Sequence, residues 1–190
     1  MARIMFIVDS DFEDSEFRVP YDRVRQAGHK AVIVGIEAGK ELKGKKGKET
    51  LTTEKAVKDV SVDQFDALVI PGGYSPDHLR MNPDMVERVR AFFEQDKPVA
   101  AICHAGWMLA EADIADGRTL TSWPSIKTDL INAGARWIDR EVVEDGNLIT
   151  SRKPDDLKAF SEALLRQIDQ GIAPRIGEKI EGEVEWPSVQ

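Results

Sequence analysis

Little in this sequence suits disulfide or metal-cluster chemistry: it has one cysteine and three histidines in 190 residues. A single cysteine excludes an internal disulfide framework and any multi-cysteine zinc or iron–sulfur site. No such staple is needed at this length, because the chain can bury most of the surface it would expose unfolded. Long apolar runs are also missing, and none approaches the roughly 18 residues of a membrane span. No basic-then-apolar leader precedes the strand-like start MARIMFIVDSDFED. The expectation is therefore a cytoplasmic domain in a reducing compartment, with its thiol free for chemistry. Excess positive charge is lacking too. Lys and Arg number 26 against 34 Asp and Glu, a formal net charge of −8. That balance argues against nucleic acid or an anionic membrane as partner. The lysines between Lys40 and Lys48 have no aromatic neighbour to stack a base, so they read as a solvated loop or hairpin tip.

What is present is a repeated strand–helix pattern. Four apolar runs stand out: Ile4–Val8, Ala31–Ile36, Ala67–Ile70 and Val99–Ile102. Each is unbroken rather than alternating, as parallel strands covered on both faces require. Helical stripes separate them. Phe17, Tyr21 and Val24 share one face of a helix ending near Gly28, with Pro20 as a kink or restart. Met85, Val86, Val89, Phe92 and Phe93 form a second stripe, with Asn82 as N-cap and Pro83 at the first turn. A third stretch opens at His104. Ser125 reads as the cap of a fourth, stopped by Gly134, and a last helix runs from Pro154 through Ile168. Val142 to Thr150 reads as a hairpin around Asp145-Gly146. Strand–helix alternation implies an α/β fold with an open, doubly wound, mainly parallel sheet sandwiched by helices. Residues 1–170 read as one domain, and 171–190 as a C-terminal extension without a clean period or an assigned role.

In doubly wound sheets, ligands collect at the carboxyl ends of strands. Asp9 to Asp14 follow the first strand, Pro71-Gly72-Gly73 the third, and Cys103-His104 the fourth. The only thiol thus sits at a strand-to-helix elbow, followed at once by an imidazole. A helix N-terminus there favours thiolate. His104 is the candidate base, and the amides of Gly72, Gly73 and His104 could form an oxyanion hole. A protonated Glu13 would donate a hydrogen bond to the thiolate, and Trp123 could line the site. Asp9, Asp11, Asp14 and Glu16 read as a solvated face, since no histidine lies among them to complete a transition-metal site. No metal or cofactor is expected.

Ala100 to His104, with Pro71-Gly72-Gly73 and Phe12-Glu13-Asp14 upstream, resembles the ThiJ/PfpI superfamily, closest to its PfpI-type intracellular proteases. Thr121-Ser122-Trp123-Pro124, Ile131 to Gly134 and Glu144 to Asn147 extend the likeness in order to about residue 170. The resemblance implies a flavodoxin-like sandwich of the class I glutamine amidotransferase type. It implies a homodimer or a larger ring of dimers, with His104 as the triad histidine. The third member would be an acid reaching in from a neighbouring subunit. That position here is Asp77, four residues after the paired glycines, where the family has Glu. Trp123 stands where the family usually has Tyr. The activity implied is a stress-related cysteine hydrolase with Cys103 as nucleophile, acting on small peptides or carbonyl-damaged substrates. The alternative is a non-enzymatic oxidative-stress sensor that uses reversible oxidation of Cys103.

Overall fold

The structure is a computed structural model, and it describes residues 1–177. In chain order its elements are β1 (Arg3–Ile7), α1 (Asp14–Gln26), β2 (Lys30–Gly35), β3 (Glu41–Lys43), β4 (Thr50–Thr52), β5 (Lys55–Ala56) and β6 (Ala67–Ile70). Then come α2 (Ser75–Leu79), α3 (Pro83–Glu94), β7 (Val99–Ile102), α4 (Gly106–Glu111), β8 (Thr119–Leu120), α5 (Lys127–Asn132) and β9 (Arg136–Trp137). The hairpin β10 (Val142–Asp145) and β11 (Leu148–Ser151) precedes α6 (Leu157–Gln170).

Seven strands form one sheet in the order β10-β11-β7-β6-β1-β2-β5, parallel throughout except for the β10–β11 pair. This is the mainly parallel, helix-flanked sheet that the four apolar runs implied. Successive strand side chains point to opposite faces, so an unbroken run feeds two cores. Met5, Ile7, Leu68, Ile70, Val99 and Ala101 pack with Met85, Val89 and Phe92 of α3 and Met108 and Leu109 of α4. Ile4, Phe6, Val69, Ala100 and Ile102 pack with Phe17 and Val24 of α1 and Phe160 and Leu164 of α6. β1 leads through α1 to β2 on one side, while β6 joins β1 on the other. The chain therefore reverses its direction of travel between β1 and β6, which is where such sheets open a crevice.

Two local expectations change. α1 runs unbroken through Pro20; the proline removes only the hydrogen bond that its missing N–H would have given the Glu16 carbonyl. The acidic stretch after β1 is a solvated face only at Asp11, which is exposed. Asp9, Asp14 and Glu16 are 8%, 4% and 0% exposed, because backbone amides replace water around their carboxylates.

The Lys-rich segment is indeed a hairpin tip, between antiparallel β3 and β4, but it is tied down. Asp14 Oδ1 accepts the Lys48 and Glu49 amides at 2.8 Å, and Oδ2 accepts that of Lys46 at 2.9 Å. Burial pushes the Asp14 carboxyl up, yet these amides outweigh it and hold its pKa below the ordinary value. A depressed carboxylate pKa stabilises the fold above the unfolded-state value, and that stability is lost as pH falls through the folded one. Asp14→Ala is expected to destabilise the chain by about 2–3 kcal/mol at pH 7 and by less in acid. Urea unfolding at the two pH values checks this; equal midpoints for variant and wild type at pH 7 would refute it.

Beyond α6 the chain doubles back on the sheet. Pro174 O accepts the Gly146 amide at 3.2 Å, and the Ile176 amide donates to Asp145 Oδ1 at 2.7 Å. Arg175 Nη2 donates to Gly117 O at 2.9 Å. Asp145 is fully buried, and its other oxygen accepts the Thr119 amide at 2.7 Å.

Candidate active site

The carboxyl ends of β1, β6 and β7 lie side by side, and the three segments after them are sewn together. Glu13 N donates to Gly72 O at 3.1 Å, and Tyr74 N to Asp11 O at 2.8 Å. Both glycines are required by this close approach. A Cβ on Gly72 would lie 2.4 Å from Glu16 Oε2 and 2.6 Å from Cys103 Cβ. Gly73 has φ +76°, and a Cβ there would meet Asp11 O at 2.4 Å.

After β7 the chain turns at once. Cys103 has φ +64°, a left-handed backbone that disfavours a non-glycine residue by roughly 1–2 kcal/mol. Cys103–Ala105 then form a single 3-10 turn leading into α4. The thiol is buried rather than free in solvent, with the residue 7% exposed. His104 folds back over it, with Nδ1 3.3 Å from Sγ. The expected adjacency of thiol and imidazole is therefore met by the strained elbow.

The carboxyl at the thiol is that of Glu16, and this corrects the expectation for Glu13. Glu13 stands outside α1, where its carboxylate is drawn to Lys46 at 2.7 Å, Lys45 at 3.2 Å and the Ser15 hydroxyl at 3.2 Å. Burial raises its pKa, but the lysines outweigh burial and the net shift is downward. Glu13 thus stays ionised and pairs with the hairpin. Glu16 lies on the inward face of α1 with Phe17, Pro20 and Val24, and its Oε2 accepts the Gly72 amide at 2.9 Å. Burial, then the charge of Glu13, pushes Glu16 up to about 8. The sequence did carry a signal for it. The stripe 16–20–24 runs at helical spacing through buried positions, and a carboxyl on such a stripe must be paired or perturbed.

The thiol differs from expectation as well. Burial first, then the charge of Glu16, pushes Cys103 up to about 12, while hydrogen bonds from the Gly73 and His104 amides pull the other way. A helix of six residues does not offset burial beside a second acid. His104 is pushed down by burial and by the charge of Lys45, so it is neutral at neutral pH. The resting pair is thus thiol and neutral imidazole.

The rim is aromatic. Trp107, Tyr74 and Trp123 lie 5.0, 6.4 and 6.5 Å from the His104 ring. Trp107 packs against the core, its indole N–H donates to Asp129 at 3.0 Å, and its ring borders the site. Trp123 is 38% exposed, and its amide donates to Cys103 O at 3.2 Å. Asp77 sits on α2 and pairs at 2.6 Å with Arg80, the residue just past that helix; within one chain it is not brought to His104. Ser125 does not cap a helix. It lies inside the 3-10 turn Pro124–Ile126, and its Oγ is 3.2 Å from His104 Nε2.

Comparison with known proteins extends over most of the chain. A profile of the DJ-1/PfpI family matches residues 2–167. Protein/nucleic acid deglycase 2 of Escherichia coli (strain K12) is 46% identical over 165 residues, 86% of this chain and 96% of that protein. Deglycase PfpI of Pyrococcus furiosus is 42% identical over 164 residues, 86% of this chain and 98% of that one. Among solved structures, a two-domain protein of Anabaena variabilis with DJ-1/ThiJ/PfpI-like and ferritin-like domains is 37% identical, with a TM-score of 0.88. The match covers 96% of this chain and 52% of that one, so this chain spans about half its length.

Proposed function

The chain belongs to the DJ-1/PfpI family; from that premise we propose that it is an enzyme of the cysteine-hydrolase type, with Cys103 as the nucleophile for hydrolysis of small carbonyl-damaged adducts or short peptides. The observation that carries this reading is the 3.3 Å contact between Cys103 Sγ and His104 Nδ1 at a left-handed elbow. A lone thiol on a left-handed elbow carries backbone strain that packing alone does not require.

For a peptide or another amide the steps are those of acyl transfer. Sγ attacks the substrate carbonyl carbon as its proton passes to His104 Nδ1. The carbonyl oxygen takes the negative charge beside the Gly73 and His104 amides. The C–N bond then breaks, and His104 returns its proton to the departing amine. Water completes the cycle by cleaving the thioester, again with His104 as base. Tyr74 and Trp123 at the rim favour small or flat substrates over folded protein. Glu16 keeps a proton near the sulfur and acts as a hydrogen-bond donor to the thiolate as it forms. We place the working form in the cytoplasm as a homo-oligomer, with Asp77 facing the site of a neighbouring copy.

Methylglyoxal adducts of amino acids and a fluorogenic peptide panel, offered in parallel, test the reading. Turnover should appear on at least one class and vanish after one equivalent of iodoacetamide per chain. No turnover on either class refutes it. The sensor reading is favoured by the absence of any second cysteine to resolve an oxidised one. Reversible one-oxygen mass gains on Cys103 under peroxide, without turnover, would establish that alternative.

A further inference from the structure

His104 has two ring nitrogens, and the elbow accounts for only one. Nδ1 faces the thiol; Nε2 faces the hydroxyl of Ser125 at 3.2 Å. Ser125 comes from a separate segment, after β8. That segment is fixed against the elbow by the Trp123 amide on Cys103 O, and the Ile126 amide on Trp123 O closes its turn, both at 3.2 Å. Ile126 beneath it is buried in the core. The hydroxyl is thus carried by an anchored turn rather than by a free loop.

We propose that Ser125 is a positioning residue for the reaction: its Oγ accepts the Nε2 proton and so fixes His104 in the tautomer whose Nδ1 lone pair faces Cys103. The proposal rests on the reading of Cys103 and His104 as nucleophile and base. A neutral imidazole carries one ring proton. If it sat on Nδ1, that nitrogen could not accept the thiol proton. A partner that holds the proton on Nε2 therefore decides whether the base is competent, the role filled by the third member of a triad. When the thiol reacts, the Sγ–H bond breaks and an Nδ1–H bond forms. Nδ1–H then faces the sulfur while Nε2–H stays on Oγ, so no rotation of the ring is needed. Ser125 is neutral; it contributes orientation and not charge.

An acid in trans would need the same nitrogen. Within one chain, Asp77 Oδ1 is held by Arg80 at 2.6 and 2.9 Å. Asp77 and Ser125 thus compete for one role, and the two can be told apart.

Histidine-selective 15N labelling reads the tautomer directly. There are three histidines, and His104→Asn assigns the signal. Wild type should show the Nε2–H form. Ser125→Ala should populate both tautomers and lower kcat about 5- to 10-fold with KM unchanged, the loss expected for one neutral hydrogen bond acting on the transition state. Ser125→Thr should restore both readouts. A wild-type Nδ1–H tautomer, or a Ser125→Ala variant with unaltered tautomer and kcat, overturns the proposal. So does an Asp77→Asn variant that shifts the tautomer where Ser125→Ala does not. The spectrum needs no substrate. If wild type turned over nothing, the hydrolase reading would fall, while the tautomer and the Cys103 alkylation rate would still decide the role of Ser125.

Discussion

Cys103→Ala will lose turnover by on the order of 10^4-fold or more while keeping the fold. Removing the nucleophile of an acyl-transfer relay leaves only binding and oxyanion contacts, and losses of that size follow. Stability should change by less than about 1 kcal/mol. Alanine keeps the Cβ, so the left-handed backbone at φ +64° is no worse served. It also removes a polar group that burial and the Glu16 charge disfavour, against the loss of one buried sulfur. Parallel measurement of kcat/KM and of the urea midpoint separates the two effects. Turnover within tenfold of wild type would remove Cys103 from the mechanism. A collapsed midpoint would show instead that the thiol holds the elbow together.

Glu16→Gln will stabilise the chain in mild alkali and leave it nearly unchanged in acid. The Glu16 carboxyl is raised from 4.5 to about 8 by burial and by the charge of Glu13. The folded state therefore holds a proton that the unfolded chain releases between these values. Stability is full below the unfolded pKa and falls as pH rises toward the folded one. One proton over that window amounts to on the order of 5 kcal/mol. Glutamine keeps a carbonyl oxygen for the Gly72 amide but has nothing to ionise. The difference in unfolding free energy between variant and wild type should thus grow from pH 5 to about pH 8 and level off above it. The thiol should follow. Without the carboxylate, part of what pushes Cys103 up to about 12 disappears, so its alkylation should begin at lower pH. A pH-independent difference in stability would overturn this account. The two groups titrate as a pair, so the profile belongs to both.

The frame of the molecule is legible in four apolar runs because parallel strands need continuous hydrophobicity. Three of the four end on segments that meet at the candidate site, as the rule for strand ends in such sheets leads one to expect. The two-residue strands β5, β8 and β9 escape notice, since two residues have no period. The acidic segment misled for a physical reason. Asp14 and Glu16 look like solvent-facing charges until the partners of their oxygens are known, and those are amides more than 30 residues away in sequence. Glu13 follows the first strand in Phe12-Glu13-Asp14, yet that place does not turn its carboxylate inward. The helical stripe through Pro20 and Val24 was the better guide, because it says which side chains must turn inward. The direction of the thiol shift was also hidden, since it depends on burial that no elbow motif encodes.

The folded-back segment after α6 also bears on how the protein should be cut or joined. Likeness to the DJ-1/PfpI family profile stops at residue 167, and a cloning boundary drawn there, or at Gly171, looks natural. It would leave a buried Asp145 oxygen without the Ile176 amide that satisfies it. The folded unit therefore reaches past the family profile, at least to Ile176, and a fusion partner belongs after that residue.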